Sequence, residues 1–393
     1  IFSKWKGGCG MNIDVSIARC PDYSEANCRR ALEEVLAPLG GLDWVQSGMR
    51  IAVKVNLVSA MAPDTAATVH PALLCALVRM LRARGAHVVL GDSPGGLYTP
   101  AHLAHVYDVT GLRDCEACGA ELNADFSQAQ AHFPEGVCAK QFTYTAWLDH
   151  ADAIIDFCKL KSHGMMGMSN AAKNLFGVIP GTMKPEYHYK YPDAAAFADM
   201  LVDLNEYWKP RLSLCDAVVC MEGNGPTQGT PTTLGAVLAS ASPHRLDLLA
   251  AALIGLSAQD VPTLAAALRR SLIPESVEAL SICGEWRSLV KPDFDVPEAQ
   301  RSTEIFRFGS GLLGEVTGAL VKNALTCVPK VAAHECVGCS KCAKICPAHA
   351  IAMQNKLPKI ERSRCIHCFC CQEFCPKGAM KVHRPLIARL LNR

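Results

Sequence analysis

Along the first 290 residues, short apolar runs alternate with stretches whose apolar positions recur at helical spacing. The runs predict strands over 13–18, 50–58, 87–90, 152–157, 212–221, 234–239 and 277–283. Helical spacing predicts helices over 26–36, 71–84, 199–208 and 246–256, with Ser24 as the cap of the first and Gly85 closing the second. Residues 98–150 carry no clear period. A repeating strand–helix–strand rhythm implies an α/β fold, a mostly parallel sheet with helices on both faces. Beyond it, 291–300 is proline-rich and charged and reads as a linker. Residues 309–328 read as an amphipathic helix bridging to a small α+β ferredoxin-like module at 334–383. The tail, 384–393, alternates arginines with apolar pairs and is expected to pack on the sheet domain.

That small module carries the strongest chemical signal. Cys336, Cys339, Cys342 and Cys346 are spaced C-x2-C-x2-C-x3-C and followed by Pro347. Cys365, Cys368, Cys371 and Cys375 repeat the spacing, followed by Pro376. Each iron of a cubane cluster needs a thiolate. Three closely spaced cysteines wrap one cluster, and the fourth of each run reaches the other. The expected sets are therefore Cys336, Cys339, Cys342 and Cys375 for one 4Fe–4S cluster, and Cys365, Cys368, Cys371 and Cys346 for the second. Structural zinc uses two ligand pairs per metal, which two identical proline-closed registers do not suit. Cys370 falls outside both registers and reads as a small packed residue.

Composition changes this picture only at a few points. No apolar run approaches the roughly 18 residues of a membrane span, and residues 1–10 hold no hydrophobic signal region. Residues 1–11 read as an extension ahead of Met11. Of 21 cysteines, 13 lie outside the two runs without a framework, which suits a reducing cytoplasm. Cys115 and Cys118 form an isolated C-x2-C with no second pair at metal spacing, so a structural role is favoured. Residues 334–393 hold 11 Lys and Arg against 3 Asp and Glu, a net +8, while the rest holds 28 against 34, a net −6. The basic end balances anionic clusters and can steer an acidic redox partner. No stripe suggests nucleic acid.

In an open α/β sheet, ligands bind beyond the carboxyl ends of the strands. Several polar groups fall at such ends: Lys54 and Asn56, then Asp92 and Ser93, then Lys159, Lys161 and His163, then Lys173 and Asn174, then Glu222 and Asn224. Lysines gathered there would repel one another and demand an anion. The intervening glycines allow close backbone approach. No phosphate loop, dinucleotide fingerprint, nucleophile elbow or zinc-protease helix is present.

Four blocks, VKVNLV, GDSPGG, KLKSHGMMGMSNAAKNLFGVIPG and DAVVCMEGNGPTQGTP, resemble those of domain-of-unknown-function family 362, whose members often carry a C-terminal dicluster ferredoxin. The resemblance spans roughly 12–290 and 334–380. It implies an α/β domain fused to a 4Fe–4S module, with Lys54, Asn56, Asp92, Ser93, Lys161, His163, Lys173, Asn174, Glu222 and Asn224 as the polar positions. The expected activity is a redox one. Two clusters relay electrons from a ferredoxin-like partner to an anionic small molecule, with Lys161 and His163 catalytic and His163 the proton donor near neutral pH. Two other readings stand beside it: an electron carrier or assembly module whose α/β domain is a docking platform, and a non-redox enzyme with structural clusters.

Overall fold

Residues 13–296 and 327–383 are described by the computed structural model. In chain order the strands are β1 (Val15–Arg19), β2 (Arg50–Lys54), β3 (His87–Gly91), β4 (Ala120–Leu122), β5 (Gln128–His132), β6 (Gln141–Thr145), β7 (Ala153–His163), β8 (Gly167–Ser169), β9 (Leu212–Glu222), β10 (Thr230–Ser240), β11 (Ile282–Cys283), β12 (Val328–Val331), β13 (Ile351–Gln354), β14 (Leu357–Ile360) and β15 (Met380–His383). The helices are α1 (Glu25–Leu36), α2 (Pro71–Ala83), α3 (Pro100–Val109), α4 (Ala171–Asn174), α5 (Lys184–Lys190), α6 (Ala194–Trp208), α7 (Pro243–Leu253), α8 (Pro262–Arg269), α9 (Lys341–Ile345) and α10 (Cys370–Glu373).

Alternation along the strands decides which helices go to which face. Ile51 and Val53 of β2, with Ile155 and Phe157 of β7, pack under α1, α2 and α3. Ala52 and Ile154 point the other way, into a core shared with α6. Cys158 and Leu160 join a third core with α7 and α8. Each large apolar side chain fully buried this way contributes about 1.5–3 kcal/mol. Among the described residues the sheet runs β11-β1-β10-β9-β7-β2-β3-β4, with β8 pairing β7. Strands β4, β3, β2, β7 and β9 are mutually parallel; β10 runs against its neighbours. The mostly parallel sheet with helices on both faces is thus the architecture, followed by a small C-terminal module of short strands and helices.

Several segments differ from the sequence expectation, the first being the strand expected over 50–58, which ends at Lys54. Strand β7 does not stop at Phe157 but continues to His163, because β9 and β8 both pair with its second half. The lysine-rich stretch expected at the strand's carboxyl end is therefore itself buried strand. Only Ile282–Cys283 of 277–283 is extended, and Val277–Ala279 is a single tight turn. Residues 98–150 hold α3, β4 and the hairpin β5–β6. The first part of the expected linker is not free: Lys291 Nζ donates to Thr232 Oγ1, and Phe294 is buried against the α7–α8 core. The expected bridging helix up to residue 326, the extension at 1–11 and the tail at 384–393 lie outside the described residues.

In the C-terminal module, β12 pairs β15 and β13 pairs β14. The two cysteine runs fold alike. Left-handed backbone occurs at Gly338 and His367, at Ser340 and Phe369, and at His349 and Gly378, which are equivalent positions of the two runs. In each run the first two of these reversals turn the chain around its first two cysteines, a short helix, α9 or α10, then carries the third, and the last reversal follows the fourth.

Candidate functional site: a cavity between the sheet domain and the cysteine module

Strand β2 leads to β3 and β4 on one side, and β7 leads to β9 on the other. The crevice past the carboxyl ends of β2 and β7 is therefore the topological switch point, where α/β sheets bind ligands. The polar groups named from sequence converge there, but most are consumed by one another. Lys54 Nζ lies 2.7 Å from Asp92 Oδ1 and donates to the carbonyl of Val55 and to Asn174 Oδ1. Both ends of the pair are almost fully buried. Asp92 also accepts from the backbone of Leu57. Asn174 accepts from Asn56 at 2.9 Å and donates to Asp156 at 2.7 Å. Lys161 Nζ donates to Asn56 Oδ1 and to the carbonyl of Ala67. Lys159 pairs with Asp216 at 2.8 Å and with Tyr23 at 2.9 Å.

These partners correct the idea that the lysines together demand an external anion. The protein supplies the counter-charges for Lys54 and Lys159 from carboxylates far away in sequence. Lys161 is fully buried, and burial together with the charge of Lys173 drives its ammonium well below the usual range. Ser93 is also structural: its hydroxyl accepts from the backbone of Gly181, and its own N–H donates to Gly177. Gly177 is required where it stands, because a Cβ there would fall 2.1 Å from Asp92 Oδ1 and 2.5 Å from Lys54 Nζ.

Nor are Glu222 and Asn224 placed as ligands of a small molecule. Glu222 accepts from the backbone of Asp295. Asn224 holds the cysteine module: its carbonyl accepts from Gln372 Nε2 at 2.9 Å, and its Oδ1 accepts from the backbone of Val382 at 3.2 Å. Thr227 adds a bond to the carbonyl of Glu373. The loop after β9 is thus a dock for α10, braced from below by Ser162, which bonds Gly223 and Gly225.

Between the docked module and the sheet lies a cavity of about 1030 Å³. From the sheet domain it is lined by Asn56, Asp92, Lys173, Asn174, Lys184 and His188, and from the module by Lys341, Lys344, Cys370, Glu373 and Cys375. Of the residues named from sequence, Asn56, Asp92, Lys173, Asn174 and Cys375 reach it; Lys54, Ser93, Lys161, His163, Glu222 and Asn224 stand behind or beside it. Lys173 is distinctive. Among the described residues its ammonium has no hydrogen bond or close ion pair; it lies 6.0 Å from the Phe176 ring, and its charge acts on nearby Glu373.

Sequence reasoning missed Glu373, Lys184 and His188. Glu373 Oε1 sits 2.9 Å from His163 Nε2, although the pair is not aligned as a hydrogen bond. Burial pushes this carboxyl up, but Lys173, His163 and His188 outweigh it and hold it well below the usual range. The Nδ1 of His163 accepts from the backbone N–H groups of Met165 and Met166, which leaves Nε2 as the protonated nitrogen facing Glu373. Burial and then Lys173 lower His163 to about 4, so it is neutral, not titrating, near pH 7. Burial also lowers Lys184 to about 8, with Asp92 opposing, and its ammonium donates to the carbonyl of Ser93. Nothing local marks Glu373, which sits inside the cysteine motif. The run KPEYHYK, starting three residues after Gly181, was the available signal for Lys184 and His188.

Two buried carboxyls behind the cavity set a pH dependence. Burial raises Asp156 to about 8, with Lys54 and the Asn174 bond pulling back, and raises Asp247 to about 7. Above the ordinary carboxylate range the folded state keeps protons that the unfolded chain has released. Stability is therefore fully present below that range and is lost as pH rises through about 8. His163, lowered to about 4, and His188, lowered to about 3, act oppositely and cost stability as pH falls below their ordinary range. Between pH 6.5 and 8 each of these carboxyls contributes a downward slope of at most about 1.4 kcal/mol per pH unit, which the lowered Cys75 thiol and Lys161 ammonium oppose. Asp156→Asn, which keeps an acceptor for Asn174, should therefore make the melting temperature fall less, or rise more, with pH over this window than in the parent protein.

The eight cysteines of the two runs line two small cavities, four in each. Cys336, Cys339, Cys342 and Cys375 surround one; Cys346, Cys365, Cys368 and Cys371 surround the other. This crossed grouping is the one a dicluster ferredoxin requires. The remaining walls are largely apolar, including Val331, Met353 and Met380 around the first and Ile351, Ile360 and Phe369 around the second. The chemistry of the donor sets suits iron–sulfur clusters.

Comparison with known proteins agrees with both halves. The model of a family described as a domain of unknown function, DUF362, matches residues 51–252. The chain belongs to the DUF362 family. Residues 335–379 match a 4Fe–4S dicluster domain. A thylakoid-associated protein of Synechocystis sp. is 30% identical over 295 residues, covering 73% of this chain and 89% of that protein. Among solved structures, the lactate racemase apoprotein from Thermoanaerobacterium thermosaccharolyticum is 12% identical with a TM-score of 0.40, covering 63% of this chain and 58% of that one. A protein from Thermotoga maritima is 13% identical with a TM-score of 0.32, covering 53% of each chain. The chain therefore spans less than two thirds of either solved protein. In this DUF362 chain, no described helix is long and apolar enough to cross a membrane.

Proposed function

We propose that this protein is an iron–sulfur oxidoreductase that passes electrons to an anionic small molecule bound in the cavity between its two parts. The observation that carries the reading is a shared wall. Cys375 lines both the first four-cysteine cavity and the interdomain cavity, and Cys370 lines both the second and the interdomain cavity. A molecule held there would sit against both cysteine cages. Two 4Fe–4S clusters, when bound, supply one-electron transfers.

The chain's own residues do the rest. Lys173, without a hydrogen bond or close ion pair among the described residues, binds the anionic group. Lys184, with its ammonium near neutrality, holds a transferable proton at Nζ on the cavity wall. The Lys54–Asp92 pair and Asn174 fix the floor. Lys341 and Lys344, on the module, add positive charge at the cavity and favour an acidic or anionic partner.

The test is direct. Anaerobically purified protein is screened by calorimetry against phosphate, citrate and mononucleotides, and any co-purifying small molecule is identified by mass spectrometry. Lys173→Gln should weaken the best ligand about tenfold or more, the loss of one charge-assisted bond, with iron content unchanged. Equal affinity in the variant, or no ligand at all, removes this function and leaves an electron carrier whose α/β domain only docks.

A further inference from the structure

The isolated pair Cys115 and Cys118 acquires a third thiol in the fold. Helix α2 brings Cys75 against the turn that follows α3, so that Cys75 Sγ lies 3.5 Å from Cys115 Sγ. The buried thiol of Cys115 is also near the carbonyl of Pro71, and that of Cys118 near the carbonyl of Asp114. Cys115 is fully buried, whereas Cys75 and Cys118 are partly exposed. These cysteines stand on the α1–α2 face of the sheet domain, in a core separate from the one lining the cysteine module.

We propose that Cys75, Cys115 and Cys118 form a dithiol–disulfide exchange site, with a small-molecule disulfide as its reactant. Three features support it. The Cys75 and Cys115 sulfurs need to close by only about 1.5 Å to reach bonding distance, which side-chain rotation can supply. Cys75 is partly exposed, so a disulfide can approach it. Its thiol is also acidified, to about 6, first by the hydrogen bond from Cys115 and further by Cys118 and Arg79.

The exchange balances without another reactant. The Cys75 thiolate attacks one sulfur of the disulfide, that S–S bond breaks, and a thiolate leaves. The Cys115 sulfur then attacks the Cys75 sulfur, expelling the second thiolate and closing Cys75–Cys115. The two protons of the protein thiols end on the two released thiols. The protein pair is oxidised and the small disulfide is reduced. Cys118, partly exposed, can attack the bridge and move it onto itself, freeing the displaced thiol; return to three free thiols takes two small-molecule thiols, which leave as their disulfide.

Closure would join α2 to the turn across 40 residues of sequence. The oxidised form should therefore melt higher than the reduced form.

The experiment uses anaerobic, cluster-loaded full-length protein and mixtures of oxidised and reduced glutathione. After acid quenching, free thiols are alkylated and every cysteine is mapped by peptide mass spectrometry. Labelling of Cys75 and Cys115 should fall together, and a Cys75–Cys115 cross-linked peptide, lighter by two hydrogens, should appear and vanish on adding dithiothreitol. The cluster absorbance should not change. Cys75→Ser should leave Cys115 fully labelled, and Cys115→Ser should trap glutathione on Cys75 or shift the bridge to Cys118. Full labelling of both in wild-type protein under oxidising mixtures would overturn the proposal. So would a glutathione adduct on wild-type Cys75 that never resolves.

Discussion

Cys375→Ser should remove roughly half of the iron and sulfide bound per chain, because it deletes one thiolate from one of two four-cysteine cages. The cage of Cys346, Cys365, Cys368 and Cys371 keeps its full donor set and should stay loaded. A neighbouring control separates ligation from packing. Cys370, more deeply buried than Cys375, opens the short helix just ahead of it but is outside the ligand register, so Cys370→Ser should leave iron content unchanged. Iron and sulfide analysis with electron paramagnetic resonance of the reduced protein reads both variants. Loss of iron in Cys370→Ser, or full iron in Cys375→Ser, would break the assignment of cages. Because Cys375 also lines the interdomain cavity, any ligand-dependent turnover should collapse in Cys375→Ser, while ligand binding at Lys173 should persist.

The second large effect is on stability. Lys54→Met should lower the unfolding free energy by about 3–5 kcal/mol, the cost of leaving a buried charge without its partner. That is a large fraction of the roughly 5–15 kcal/mol typical of a folded domain. The charge left behind is Asp92, 3% exposed, which would keep only the N–H of Leu57. Asn174 would lose a donor at the same time. Replacing both members, as Lys54→Met with Asp92→Leu, should recover part of the loss, since no unpaired charge remains. Recovery would be incomplete because the Leu57 N–H is then orphaned. Thermal melts of the two variants measure this. A Lys54→Met protein as stable as the parent would mean that this lysine is not the counter-charge of the switch-point carboxylate.

These two variants also mark how legible the protein was. The cysteine runs could be read directly, because a cubane imposes its ligand spacing on a short length of chain. The crossed partnership of Cys346 and Cys375 followed from that spacing, and the four-by-four grouping of the thiols has the same pattern. The α/β rhythm was equally readable where strands are fully buried and apolar. It failed for the second half of β7, where Lys159, Lys161 and His163 look like loop residues. There the strand persists because β8 and β9 pair with it and because Asp216, Asn56 and backbone groups satisfy its polar side chains.

What sequence alone settled, then, is what short-range chemistry dictates: the cysteine cages, the strand–helix alternation and the family blocks. It also showed which polar residues gather at strand ends, but not which of them face a ligand. That was decided by tertiary structure, through pairings made across long stretches of chain. Lys54 meets Asp92 because β2 and β3 lie side by side, with Lys54 in register with Gly91. Lys173 keeps its ammonium without a hydrogen bond or close ion pair among the described residues, although its charge acts on Glu373 across the cavity wall. Glu373, invisible within its motif, reaches His163 only because the loop after β9 docks α10 against the sheet. Electrostatic partnership depends on distance in space, and a linear chain does not record that distance.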